Sequence, residues 1–295
     1  MSKARKRKMF MIALAFMLPF LLLYTVFTIW PVIQGFYVSL HKWGLMGKQK
    51  FIGWDNYTKF IGDKNFWAAL WHTTFFTLIT TPMLVITAMG LAMLANRKTK
   101  MKKGLRIIFY LPSVLSVSVA SFIALYTFQP YTGLVNGVLH QIGVLAPAEE
   151  LQWLQSTKLV WITISLMTVW WTIGFPMLLY LSALQDISTD VYEAASIDGA
   201  SRFQQLIHLE LPLLKSTTWL VGLLQMIGCF KVFGQIHLIT GGGPAGATRP
   251  LIQYIYENAF KKNNLGYAAS MSYVLFGILL ILSVAQQFLQ RKGED

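Results

Sequence analysis

Apolar residues run in six long blocks separated by polar stretches of very unequal length. The blocks cover residues 10–38, 71–95, 105–128, 159–184, 217–239 and 268–289. Each reaches the roughly 20 apolar residues that a helix needs to cross a bilayer. The pattern therefore predicts an all-α integral membrane protein with six transmembrane helices and a single domain over 1–295. Pro19, Pro31, Pro82, Pro112, Gly174, Pro176 and Gly228 fall inside the blocks. Membrane helices tolerate such residues where neighbouring helices or cavity water satisfy the freed backbone groups.

One polar stretch, residues 186–212, has helix signals of its own. Asp190-Val-Tyr-Glu193 has the form of a capping box with Asp190 as N-cap. Gly199 is suited to end that helix in a left-handed conformation. Ser201-Arg-Phe-Gln204 is a second capping-box pattern, and Phe203, Leu206 and Ile207 then share one helical face. Pro212 cannot continue that helix but can start the next span. The expectation is two short helices meeting at an angle at Gly199-Ala200. A plain amphipathic connector on the membrane surface is the blander alternative.

Composition agrees with the membrane class. Of 295 residues, 55% are hydrophobic and 13% charged, with mean hydropathy +0.52; a soluble chain carries about 25% charged residues. The net charge of +13 does not indicate nucleic acid, because the basic residues gather at the ends of apolar runs. With the N-terminus inside, the inner segments hold fifteen Lys and Arg: five in 3–8, six in 97–106, then Arg202, Lys215, Arg291 and Lys292. The outer loops hold nine, so the positive-inside bias puts both termini and the 186–212 loop in the cytoplasm. The basic start resembles a signal peptide. However, its apolar run is too long and lacks a small-residue cleavage site before Trp30, so a retained first span is expected. A single cysteine, Cys229, excludes an intrachain disulfide and a cysteine-based metal cluster.

Candidate chemistry is sparse. No GxxxxGK[ST] phosphate loop and no HExxH spacing occurs, and the five His are scattered. The chain is therefore expected to catalyse no bond chemistry and to bind no metal or cofactor. In the fourth block Thr168, Trp171, Thr172 and Phe175 recur at helical spacing beside Trp170; in the fifth, Gln225, Gly228, Cys229 and Val232 do the same. Rings and hydroxyls on one face suit a sugar, while small residues and Thr equally suit helix packing. Lys231 lies within a span, where a charge is a functional candidate; facing a cavity and snorkelling both remain open. Thr240-Gly-Gly-Gly-Pro244 lacks the lysine of a phosphate cradle and reads as a flexible outer turn.

Glu193-Ala-Ala, Gly199, Leu209, Leu211 and Pro212 resemble the signature loop of permease subunits of bacterial ABC importers. The family more often has Ile where Leu209 stands. Phe230 to Pro244, Tyr254, Tyr256, Ala259-Phe260, Gly266-Tyr267 and Phe51 to Tyr57 are similar to the maltose-type carbohydrate-uptake branch. The resemblance implies the type I importer permease fold. It assigns Glu193, Ala194, Ala195, Asp198, Gly199, Leu209, Leu211 and Pro212 to coupling with an ATPase. It assigns the span-four and span-five faces to the substrate path; Lys231 is added there for its charge, with pairing to a carboxylate of a second subunit also open. The implied partners are a second permease, two cytoplasmic ATPase subunits carrying ATP–Mg, an extracytoplasmic sugar-binding protein, a mono- or oligosaccharide and membrane lipid. A self-sufficient secondary transporter or channel would need a carboxylate inside a span, and none of the six blocks has one. A polytopic membrane enzyme would need an interfacial cluster of His, Asp or Glu, which is also missing from the sequence.

Overall fold

The computed structural model describes residues 3–96, 102–146 and 148–292; Arg97, Lys98 and Lys100 of the second basic segment lie outside them. The described chain is helical apart from one hairpin and its connecting loops. The described residues gather into two compact units, one within 1–64 and 255–276, the other within 65–254 and 277–295.

In the first unit α1 (Lys3–Tyr24) continues through a π turn (Thr25–Ile29) into α2 (Trp30–Ser39). None of its most apolar window is buried, as its all-round apolar composition allows in lipid. An antiparallel hairpin follows, β1 (His41–Gly44) and β2 (Gly47–Phe51), with a bulge at Lys42/Trp43. After α3 (Asp55–Lys59), the buried Asn56 donates to Ser39 O (2.7 Å) and His41 O (3.0 Å). The Tyr57 and Ser39 hydroxyls lie 2.7 Å apart. Gly266 completes this corner: a Cβ there would stand 2.1 Å from His41 O, so only glycine fits. The Phe51–Tyr57 and Gly266-Tyr267 signals thus mark one structural joint, closed by Tyr267 donating to Asp63 at 2.8 Å.

The second unit is built on α4 (Lys64–Asn96), whose Leu84, Ala88, Ala92 and Ala95 recur at helical spacing into the core. Small side chains on one face allow close helix approach in a membrane. Next come α5 (Lys102–Tyr110), α6 (Val117–Thr127), α7 (Leu134–Gln141), α8 (Val160–Thr172) and α9 (Gly174–Gln185). The platform follows with α10 (Thr189–Ile197), α11 (Arg202–Gln205) and α12 (Leu211–Leu213), then α13 (Lys215–Phe230), α14 (Gly234–Ile239) and α15 (Leu251–Tyr256). Last is α16 (Leu265–Lys292), whose first part belongs to the first unit.

Three expected spans are broken rather than straight. The third bends by 102° between 103–114 and 117–127, after Pro112, where Ser116 caps α6 by accepting from Val119 N. The fourth bends by 54° between α8 and α9. There Gly174 N donates to Ser113 Oγ (3.0 Å), and a Cβ would meet Ser113 Oγ at 2.5 Å and Tyr110 Cα at 2.9 Å. The fifth stops at Phe230, leaves helix over residues 231–233 and resumes as α14. With all bent pairs counted as single spans, six candidate spans result.

Candidate functional site

The platform between the fourth and fifth spans is built largely as its sequence dictates. α10 ends on Gly199 at φ +77°, with Gly199 N bonded to Ser196 O (3.1 Å) and Ala200 N to Ala195 O (2.9 Å). That is a Schellman motif, which a residue without Cβ adopts without strain. Ser201 and Gln204 form the second capping box with both reciprocal bonds. Two details differ from expectation. The N-cap of α10 is Ser188, so Asp190 sits inside the first turn and forms no capping box. Its carboxylate is still well placed against the helix dipole. Pro212 does not end the helix either. A π turn (Leu206–Glu210) carries the chain into α12, and the break comes at Leu214 with a 62° bend. Leu211 N bonds back to Leu206 O in the wider π register. The chain thus passes the proline, which has no N–H to donate.

Glu193, Ala194, Asp198 and Gly199 are exposed, as are Leu211 and Pro212, while Ala195 and Leu209 are half-buried. Ile197 is 86% exposed and Phe203 69%. These are two large apolar side chains held out on a short polar loop. A notch of about 560 Å³ opens beside it, lined by Tyr192, Glu193, Ser196, Ile197, Ala200, Arg202 and Gln205. Burial, with the nearby Glu210 carboxylate second, pushes the Tyr192 phenol up to about 12.

The second candidate region does not hold together as two clean faces. Thr168 is buried and bonds back to Ile164 O at 2.8 Å, and Thr172 bonds back to Thr168 O at 2.7 Å. Trp171 donates its indole N–H to Leu115 O (3.0 Å) and packs on a small cluster with Ala120, Ala124, Met167 and Ile239. Cys229, only 4% exposed, and Val232 lie in the main core with Tyr180, Leu214 and Val221. Thr168, Cys229 and Val232 are therefore buried within the chain, whereas the sequence grouped them with the open residues of the two faces. The break after Phe230 disrupts the helical spacing that grouped Val232 with Gly228. Trp170, Phe175, Gly228 and Lys231 are exposed, and Gln225 is half-buried. No described ion pair involves Lys231.

The outer Thr240–Pro244 turn is braced rather than flexible. Gly243 N bonds to Thr240 O (2.9 Å), Thr248 N to Gly242 O (3.1 Å), Thr248 Oγ1 to Gly243 O (2.5 Å) and Gln253 Nε2 to Gly241 O (2.7 Å). Residues 75–293, carrying the platform and all these features, match the family described as binding-protein-dependent transport system inner membrane component. The chain belongs to this family.

The permease is 32% identical to the lactose transport system permease protein of Rhizobium radiobacter, over 94% of this chain and 93% of that one. It is 31% identical to the sulfoquinovosyl glycerol transport system permease protein of Agrobacterium fabrum, over 92% and 88%. In structure it superposes on a chain of a bacterial ABC transporter involved in the import of alginate, with TM-score 0.83 and 22% identity, covering 98% of each. The fold is that of an ABC importer permease. Sequence reasoning missed three positions the structure brings forward. Gln205 is 6% exposed inside an otherwise open platform, and Tyr192 donates to Glu210 across it at 3.3 Å. Ser113 caps the fourth-span bend. None carries a motif; only the pairing across the fold reveals them.

Proposed function

We propose that this permease forms half of the translocation path of a carbohydrate importer driven by ATP hydrolysis in separate subunits. The carrying observation is the exposed platform with its left-handed Gly199 turn, joined directly to a bent span. Relatives named for lactose, arabinooligosaccharides and starch degradation products favour a mono- or oligosaccharide substrate. In this reading Glu193, Ala194, Ala195, Asp198 and Gly199 meet a cleft on an ATPase, and Leu209, Leu211 and Pro212 pass its motion to α13. Trp170, Phe175, Gln225, Gly228 and Lys231 face a path completed by a second permease. Both termini are cytoplasmic, ATP–Mg is held by two ATPase partners, and an extracytoplasmic sugar-binding protein delivers the substrate. The permease itself performs no bond chemistry. The alternative, a self-sufficient secondary transporter, is disfavoured because no span contains Asp or Glu.

The test is co-purification from native membranes together with uptake in a deletion strain. An ATPase and a second permease are expected to come down with the chain, and uptake of at least one carbohydrate is expected to fail without it. Purification without an ATPase, with carbohydrate uptake intact, overturns the reading.

A further inference from the structure

We infer that Gln205 is a positioning residue that locks the two platform helices into one rigid wedge, so that force applied at Ile197 reaches the bend at Leu214. The inference rests on the reading of the platform as the ATPase-coupling element.

The platform is a poor candidate for rigidity by composition. Its helices are short: α10 has nine residues, and α11 with the π turn and α12 forms a single run over Arg202–Leu213. Isolated helices of this length are marginal in water. They meet at Gly199, the residue type with the greatest backbone freedom. Almost every side chain around them is exposed, so no apolar core holds them. A loop of this kind would flex at Gly199 and dissipate any push.

Two polar ties oppose that. Gln205 is the buried exception, and its amide donates both to Ser196 Oγ on α10 (3.2 Å) and to Ala200 O in the turn (3.3 Å). Ser196 Oγ in turn donates to Tyr192 O one helical turn back (2.8 Å). One side chain on α11 thus grips α10, the turn and, through Ser196, the start of α10. The second tie is the Tyr192 hydroxyl donating to Glu210 Oε1 at 3.3 Å, across the π turn. Together they close a triangle over residues 192–210 whose far corner adjoins Leu214, a side chain fully buried in the core. Gln205 makes these bonds within the platform, is buried, and lines the notch. Its role is therefore to set the angle between the helices, not to dock.

The experiment uses the full chain in lipid nanodiscs and, separately, in its native membrane complex. Spin labels at Ile197→Cys and Phe203→Cys, in a Cys229→Ala background, read the angle between the helices by pulsed electron resonance. A single narrow distance is expected, broadening about twofold or more in Gln205→Leu. In the unlabelled complex, Gln205→Leu and Ser196→Ala should each leave ATPase association intact. Ser196→Ala should lower carbohydrate moved per ATP hydrolysed by about fivefold, the scale of one lost hydrogen bond, and Gln205→Leu, which loses two, by at least as much. The double variant should be no worse than Gln205→Leu alone, because that change already breaks the Gln205–Ser196 bond. An unchanged distance width, an unchanged transport-to-ATP ratio, or loss of the ATPase in either variant overturns the inference. If the unmodified chain brings down no ATPase, the functional reading fails instead, and the distance measurement alone still decides the tie.

Discussion

At the scale of single residues, backbone demands were the most legible and side-chain facings the least. Gly199 and the Ser201–Gln204 box were readable because a left-handed turn and a capping bond are settled within five residues of chain. Replacing Gly199 with Val forces a branched side chain to φ +77°, a strain of about 1–3 kcal/mol. Uptake should fall while the ATPase remains bound; normal uptake by that variant, measured in the deletion strain, would refute the turn's role. The burial of Cys229 was not legible because it depends on Tyr180, Leu214 and Val221, which sequence spacing cannot bring near. The expected outcome is now the reverse of a path lining. A small hydrophilic maleimide should leave Cys229 unlabelled in intact membranes, yet label Gly228→Cys in a Cys229→Ala chain, since a Cβ at Gly228 meets no neighbour. Rapid labelling of the native thiol would return Cys229 to the path.

Among elements, the number and order of helices followed from the apolar blocks, while the bends did not. Pro112 and Gly174 announced that kinks were allowed, but the size of each depends on contacts across the fold. Gly174 is required by Ser113, 61 residues earlier. A Leu at 174 must displace Tyr110 backbone, an overpacking cost of about 1–3 kcal/mol. Gly174→Leu should therefore melt measurably below the parent in detergent, and Gly228→Ala should not; equal melting temperatures would remove the interlock. The loop joining α6 to α8 contains a polar clamp that no motif announced. Glu150 accepts from Tyr131 N (2.9 Å), Asn136 Nδ2 (2.5 Å) and His140 Nε2 (3.2 Å), and Trp153 donates to Asn136 at 2.7 Å. The Tyr131 amide bond, and after it the bonds from His140 and Asn136, hold the Glu150 carboxyl below its ordinary value. A carboxyl lowered in the folded state stabilises above its unfolded pKa, and the contribution is lost as pH falls through the folded value. The clamp should therefore persist through neutral and mildly acidic pH and open only as pH falls below the ordinary carboxylate range. Trp153 fluorescence followed in Glu150→Gln and parent protein measures this; a parent transition at pH 6 would contradict it.

For the whole molecule, the argument concerns what one chain lacks. Its six candidate spans carry a few exposed polar and aromatic side chains, Trp170, Phe175 and Lys231 among them, but no acidic group for ion coupling and no phosphate loop for nucleotide chemistry. Its platform instead presents Ile197 and Phe203 to solvent and ties them internally to the core through Leu214. On the function proposed above, the energy for transport arrives through that surface from another protein. The chain purified to homogeneity, without other subunits, should hydrolyse ATP no faster than buffer, because nothing in it cradles the β- and γ-phosphates. Adding the ATPase that co-purifies with it should restore hydrolysis, and Phe203→Asp should weaken that association by placing a charge where an apolar contact is required. Hydrolysis by the isolated chain, or an ATPase that binds the Phe203→Asp chain as tightly as the parent, would place the coupling surface elsewhere.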